Sequence, residues 1–167
     1  MVSGSVESIY LHTGRTGGEP MEAVESVRAV VAGGLEGDRF WQGPGSIAQK
    51  RGSDREVTLI EAETIEAVTR EGKVSLSPET SRRNIVTRGV ALNHLVNREF
   101  RVGSILLRGI RLCEPCKHLE ELTQPGMLMA LLHRGGLRAQ VVEAGEVRVG
   151  DSIEMLELVG SAALRSR

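Results

Sequence analysis

Many of the 20 glycines in this 167-residue chain sit between short apolar runs rather than within them. That punctuation is the strongest constraint on the fold. Apolar runs of roughly four to eight residues suit β-strands and are too short for most helices. Val6–Leu11 and Val24–Val31 read as strands, as do Val57–Ile60 and Asn84–Thr87. Phe100–Leu107 alternates, and Arg108-Gly109 is expected to turn it into Ile110–Cys113. Gln140–Glu143 and Ser152–Leu158 are further strands, with the short extended piece EAGEVRVGD between them. One segment has helical periodicity. In Glu61–Arg70, Thr64, Ala67 and Val68 fall near one face with Ile60, and Gly72 marks the stop. At least seven strands with two or three short helices predict a mainly β protein, a closed or nearly closed β-barrel. Helical periodicity is too sparse for a regular βαβ series. His12–Pro20 and Phe40–Asp54 look irregular. We expect a single domain over residues 1–160 and a frayed tail over 161–167.

Composition narrows the function. The chain is 40% hydrophobic and 26% charged, with a net charge of −1, which disfavours a dedicated nucleic-acid or membrane-surface binder. Aromatic residues make up 2%, too few to stack bases along a single strand. MVSGSVESIY has neither a basic region nor an apolar stretch of the secretory kind, and no apolar run approaches the roughly 20 residues of a membrane span. A cytoplasmic location is the expectation. Leu128–Leu132 is read as core rather than interface on its helical spacing.

Cys113 and Cys116, in RLCEPCKHLE, are the chain's two cysteines. A structural disulfide does not suit a reducing compartment. A thioredoxin-like pair fits the local strand-to-helix context, but the motif falls late in the chain and no proline follows Pro125. A zinc site would use Cys113, Cys116 and His118, with His94 or His133 brought in as fourth ligand. Cys113 continues the strand phase and reads as a small core residue. Cys116 follows a proline and adjoins Lys117 and His118 where a helix over Lys117–Leu122 is expected to open. That setting makes Cys116 the candidate nucleophile or soft-metal ligand.

Basic residues gather in three places. RRNIVTRGVALN contains Arg82, Arg83 and Arg88 with Asn84, an Arg-Asn pair at a strand start that offers a fork of donors to phosphate or carboxylate. HRGGLRAQ puts His133, Arg134 and Arg138 around a Gly-Gly turn whose amides are open to close approach by an anion. GLEGDRF presents Arg39 on a tight turn. No phosphate-loop or dinucleotide fingerprint is present. The ligand expected from these residues is a small polyanion that is sulfur-reactive or carries a soft metal.

The order GLEGDRF, REVTLIEAETIE, RRNIVTRGVALNHLVNREFRVGSILLRGIRLCEPC and GLRAQVVEAGEVRVGDSIE resembles the MOSC domain, named for the C-terminus of molybdenum cofactor sulfurase, in its small stand-alone bacterial form. The resemblance runs from about Val6 to Glu157. It implies a barrel like that of the pyruvate kinase barrel domain and a role around the molybdenum cofactor (molybdopterin), bound permanently or transiently. It makes Cys116 the hallmark cysteine, as persulfide-forming sulfur carrier or molybdenum ligand, with Cys113 its less regular companion. Arg83 and Asn84 inherit contact with the pterin phosphate region. Arg39, His133 and Arg138 are looser carry-overs, and Arg88 of the basic cluster with Lys117 and His118 beside Cys116 complete the candidate cofactor-binding residues. Two activities are compatible: a sulfur carrier or transferase, and a reductase of N-hydroxylated small molecules. The family is also associated with pyridoxal phosphate binding. With no aminotransferase-like or ferredoxin domain in these residues, sulfur or electrons are expected from a separate protein. A zinc-stabilised structural barrel is the lesser alternative.

Overall fold

A computed structural model describes residues 2–14, 17–43 and 52–157. The chain runs β1 (Val2–Leu11), β2 (Glu22–Val24), β3 (Ser26–Val30), β4 (Gly34–Leu35), β5 (Val57–Glu61) and α1 (Ala62–Glu71). Then come β6 (Ile85–Arg88), β7 (Glu99–Val102), β8 (Ile105–Leu112), α2 (Lys117–Leu122) and α3 (Met127–Ala130). β9 (Leu137–Glu143), β10 (Gly145–Arg148) and β11 (Ser152–Met155) complete it.

Seven strands close into a barrel in the order β1-β11-β7-β8-β9-β5-β6 and back to β1. The β5–β6 pair alone is parallel, and a parallel neighbour needs a crossover, which α1 and the loop after it provide. β2 extends the sheet beyond β1, and β10-β3-β4 form a small second sheet. The expected mainly β barrel with few short helices is the fold observed.

Alternation fills the interior. Leu137, Ala139 and Val141 of β9 point inward, as do Phe100 and Val102 of β7, and meet Leu59, Ile85 and Leu107. A second cluster lies outside the wall. Ile60 and Val86, on the opposite face from Leu59 and Ile85, pack against Ile65, Val68, Leu119, Met127 and Leu131 from the helical side. β5 and β6 are therefore buried on both faces, which explains their unbroken apolar runs. Truncating an inner residue such as Leu59 to Ala removes about 2–5 kcal/mol. Gly72, at φ +71°, stops α1 as expected.

Three expectations need correction. The turn after Phe100 lies at Gly103-Ser104, and β8 continues through Arg108-Gly109 with a shift in register between Gly109 and Arg111. Gly109 is there because a Cβ would sit 2.1 Å from the Leu95 carbonyl oxygen, so it permits a close approach rather than a turn. Val24–Val31 is two strands broken at Glu25, because β2 pairs with β1 while β3 pairs with β10. Leu128–Leu132 is only partly core: Leu131 is buried, but Met129 and Leu132 are 71% and 40% exposed. Residues 44–51 of the Phe40–Asp54 stretch and the tail 161–167 lie outside the described residues.

Candidate functional site

Strand register sets up the site. Arg111 of β8 pairs with Arg138 of β9, which pairs with Thr58 of β5. The Asn84 amide donates to the Thr58 carbonyl at 3.0 Å, extending the row to the start of β6. One position along each strand, Leu137, Leu59 and Ile85 turn into the core. The polar row therefore faces out of the barrel, into a cleft of about 600 Å³. Six arginines among the described residues line this cleft: Arg39, Arg55, Arg82, Arg83, Arg111 and Arg138. Glu114 is the one carboxylate among its described lining residues. Six of the chain's 21 Lys and Arg residues thus line one concavity.

Arg83 is 6% exposed, yet it pairs with no carboxylate among the described residues. Its Nε donates to the Gly135 carbonyl (2.9 Å), Nη1 to that of Ser81 (3.3 Å) and Nη2 to that of Cys113 (3.1 Å). Three of its five N–H groups fix it in place and two remain. The Gly-Gly turn makes this possible. A Cβ on Gly136, at φ +104°, would meet the Leu59 carbonyl oxygen at 1.9 Å. The turn thus serves through its carbonyls: Gly135 holds Arg83, and Gly136 accepts from the Cys113 amide at 2.7 Å. Arg138 carries a buried Nε with no hydrogen-bond partner. A buried guanidinium N–H without a partner is destabilising unless something else accepts from it. Asp54 sits at the rim with Arg111. Burial pushes its carboxyl up, but hydrogen bonds from Arg111 and the charges of Arg111, Arg138 and Arg55 outweigh this and hold it below the ordinary value.

Asn84 has a different part. Its Oδ1 accepts from the Thr58 amide (3.1 Å) and hydroxyl (3.0 Å), and its Nδ2 donates to the Tyr10 carbonyl (3.1 Å) and Asp38 Oδ1 (3.2 Å). All four of its hydrogen-bonding positions are in use. It ties β1, β5 and the Asp38 turn together next to Arg83. Asp38, 5% exposed, also accepts from the His12 and Phe40 amides at 2.8 and 3.1 Å. Burial raises its pKa, against those hydrogen bonds and the charge of Arg39. The turn that sequence placed here is present, with Gly37 at φ +88°, and it delivers Arg39 to the cleft with its guanidinium 5.1 Å from the Phe40 ring centroid.

His12 also lines the cleft. Its Nδ1 lies 3.1 Å from Arg82 Nη2, and a guanidinium only donates, so Nδ1 accepts and the imidazole proton sits on Nε2. Burial first, then the charges of Arg82, Arg39 and Arg83, lower its pKa to about 4. It is neutral at pH 7.

Both cysteines reach the cleft, in different states. Cys113 is 1% exposed, as its strand phase implied. Cys116 is exposed, immediately before α2, with His118 also on the lining. Among the described residues, no group of three or more His, Cys, Asp or Glu side chains is arranged to hold a metal ion. The zinc reading expected such a set; Cys113 is packed away and His133 is turned elsewhere.

The cleft thus gathers Cys116, Cys113, Arg83, Asn84, Arg39, His118 and Arg138. Three anticipated residues are not on its lining. Arg88 sits on the outer wall, chelated by Glu7 and Glu66, which hold its pKa up. His133, at φ +62°, points to solvent and bonds Glu114 through its backbone amide (3.0 Å) and Nδ1 (3.2 Å). Lys117 is exposed and not among the lining residues. Of the basic lining residues, sequence did not single out His12, Arg55 and Arg111, and it named Arg82 only within its cluster. Arg111 was detectable, since Arg111 and Cys113 are two apart at a strand end. Arg82 stands in the basic cluster. His12 lies in a segment with no periodicity and carries no sequence signal.

The fold and the cleft together define a β-barrel with six described arginines and an exposed thiol lining one concavity. The MOSC domain family model matches residues 36–154, most of the chain, and the protein belongs to that family. Family membership associates it in general terms with the molybdenum cofactor. The fold resembles YuaD from Bacillus subtilis, at 18% identity and a TM-score of 0.76 over 92% of this chain and 97% of that one. It also resembles YiiM from Escherichia coli (20% identity, TM-score 0.66, 94% and 71% covered). YiiM from Geobacillus stearothermophilus is similar too (14% identity, TM-score 0.67, 92% and 75% covered). No curated protein sequence matches the chain. Among the described residues no helix is long and apolar enough to cross a membrane.

Proposed function

We propose that this protein binds the molybdenum cofactor in the arginine cleft, holding its phosphate on Arg83 and Arg138 and engaging its metal or sulfur through Cys116. The observation that carries this is the pairing of a buried Arg83 without a carboxylate and an unsatisfied Arg138 Nε with an exposed thiol on one cleft. The donor set fits the group. Free guanidinium N–H groups suit a phosphate, and a thiolate suits molybdenum. When bound, the cofactor supplies a redox-active metal with sites open to soft ligands.

The chain's own residues supply placement. Ser81, Cys113 and Gly135 carbonyls aim Arg83, and Asn84 locks the strand start that carries it. Asn84 acts by position, since its side chain has no donor left over. His12 presents a neutral Nε2–H beside Arg82. As a carrier, the Cys116 thiolate would attack the outer sulfur of a donor protein's persulfide, forming a new S–S bond and releasing the donor thiolate. The exposure of Cys116 favours this contact with a separate donor. A reductase reading keeps Cys116 as a standing metal ligand and needs a separate electron donor. Pyridoxal phosphate chemistry needs a lysine for its Schiff base, and no lysine is among the described lining residues.

The test is elemental analysis with pterin fluorescence on wild type and Cys116→Ser, produced in a host that makes the cofactor. Molybdenum and pterin in the wild type, with metal lost in the variant, identifies a metal ligand. Neither in the wild type, with an added sulfur on Cys116 by intact mass, identifies the carrier. Neither metal, pterin nor sulfur overturns the proposal.

A further inference from the structure

A Cys116 that carries sulfur needs a source of that sulfur, and the walls of the cleft suit one kind. The lining divides by element. Arg111 and Arg138 come from β8 and β9, and Arg83 lies just before β6. From Pro115 through α2 the lining is Pro115, Cys116, His118, Leu119 and Leu122, apolar but for the thiol and one imidazole. The barrel thus contributes guanidinium groups, and the segment leading into α2 contributes a thiol among apolar groups.

One thiol is placed to react and the other is not. Cys116 is exposed. Cys113 is 1% exposed, its amide held by the Gly136 carbonyl at 2.7 Å and its own carbonyl by Arg83 at 3.1 Å. A thiolate approaching an anion is repelled, so an anionic substrate for Cys116 needs fixed positive charge beside it. Six described arginines line the cleft and supply that charge. Glu114, the one acid on the described lining, is drawn to His133, accepting from its amide at 3.0 Å through one oxygen and meeting Nδ1 at 3.2 Å with the other. A neutral sulfur donor would gain nothing from this arrangement.

From this division we infer that the cleft accepts a small anion in which a sulfane sulfur is bonded to an oxyanion head, thiosulfate being the simplest, and that Cys116 takes the outer sulfur from it. The oxygens of the head would accept from the N–H groups left on Arg83 and from the buried, unpartnered Nε of Arg138. The weakly hydrated outer sulfur would lie toward Pro115, Leu119 and Leu122. The Cys116 thiolate attacks that sulfur and a new S–S bond forms. The bond from the outer sulfur to the sulfonate sulfur breaks, and its electron pair leaves with sulfite. Charge grows on the sulfite oxygens as this bond breaks, where the arginines stabilise it. Cys116 is left as a persulfide, and no outside oxidant or reductant is consumed. The inference rests on the reading of Cys116 as the reacting thiol of an anion-binding cleft, and it adds a small-molecule source of sulfur to a donor protein.

The experiment gives the full chain thiosulfate, with cyanide as final sulfur acceptor, and measures thiocyanate and sulfite. Wild type should turn over with ping-pong kinetics, because sulfite leaves before cyanide attacks the persulfide. Cys116→Ser should fall to the rate without protein. Arg88→Met, on the outer wall, should stay within about twofold of wild type, whereas Arg138→Met should lower kcat/KM for thiosulfate about tenfold or more. Dividing by the rate of Cys116 alkylation with neutral iodoacetamide removes any change in thiolate fraction, and the tenfold should remain. A tenfold that vanishes on division overturns recognition of the anion by arginine. Turnover that survives in Cys116→Ser, or kinetics that are sequential, overturns the persulfide. No thiocyanate from a chain that binds pyrophosphate by calorimetry overturns the activity and leaves the anion-binding cleft standing. Failure of pyrophosphate as well overturns both.

Discussion

Two sets of arginines in this molecule have the same chemistry and opposite circumstances. On the outer wall each described ion pair balances its charge: Arg88 with Glu7 and Glu66, Arg134 with Glu71, Arg101 with Glu143, Arg108 with Glu99. In the cleft, Arg83 bonds only backbone carbonyls and Arg138 keeps an unpartnered Nε. Exposed pairs contribute little to stability and are screened by salt. Buried guanidinium groups without a counter-charge are unfavourable unless a ligand supplies one. The difference separates arginines neutralised by carboxylates, Arg111 of the cleft with Asp54 among them, from Arg83 and Arg138, whose counter-charge the proposed function assigns to a ligand.

The comparison has consequences that are open to measurement. The largest concerns Arg83→Met. It should abolish the rise in melting temperature on adding pyrophosphate. It should also lower stability by about 2 kcal/mol or more, because three carbonyls lose their donor. Urea unfolding with and without pyrophosphate reads both; stabilisation that persists in the variant would dissolve the distinction between the two sets.

The next effect is in pH. The folded-state pKa of His12 lies below its ordinary value of 6.5, at about 4, so the folded chain binds fewer protons than the unfolded one between these values. Its contribution is full above pH 6.5 and is lost as pH falls toward 4. His12→Gln should therefore flatten the acid limb of the stability curve by up to about 3 kcal/mol relative to wild type. Chemical denaturation at several pH values between 7 and 4 tests this, and parallel curves would count against the buried neutral imidazole.

A smaller effect is expected for Arg138→Met. It removes the orphaned Nε, so stability without ligand should hold or rise, while pyrophosphate affinity should fall about tenfold, or about 1.4 kcal/mol. Calorimetry on the folded variant decides it. Smallest of all is Arg88→Met. It should leave pyrophosphate affinity unchanged, with stability little altered and the residual change fading as salt is added. A loss of affinity there would place Arg88 in the site after all.

The same contrast shows why sequence located the site incompletely. Arg83 and Arg88 both stand in RRNIVTRG, and nothing in that string tells which has carboxylates for neighbours. Glu7 and Glu66 are distant in sequence and meet Arg88 only because β1 pairs with β6 and α1 crosses over them. Asn84 reads from sequence as a donor to the ligand's phosphate. Its saturation by Thr58, Tyr10 and Asp38 became visible only once three elements were in contact. His133 beside the glycine pair looked like a ligand-facing residue, but a left-handed backbone turns it to solvent.

What sequence determined by itself is local and periodic. Glycine spacing gave short strands, alternation chose their inward faces, Gly72 ended α1, and the step from Cys113 to Cys116 separated a strand residue from a loop residue. These follow from interactions within a few residues of each other. What only the tertiary structure decided is charge compensation and shape. Barrel closure brings Arg111, Arg138, Thr58 and Asn84 into one row, and the packing of α2 against the wall places Cys116 beside it. Whether a buried charge has a partner depends on contacts between segments far apart in the chain, and such contacts exist only after the barrel has closed.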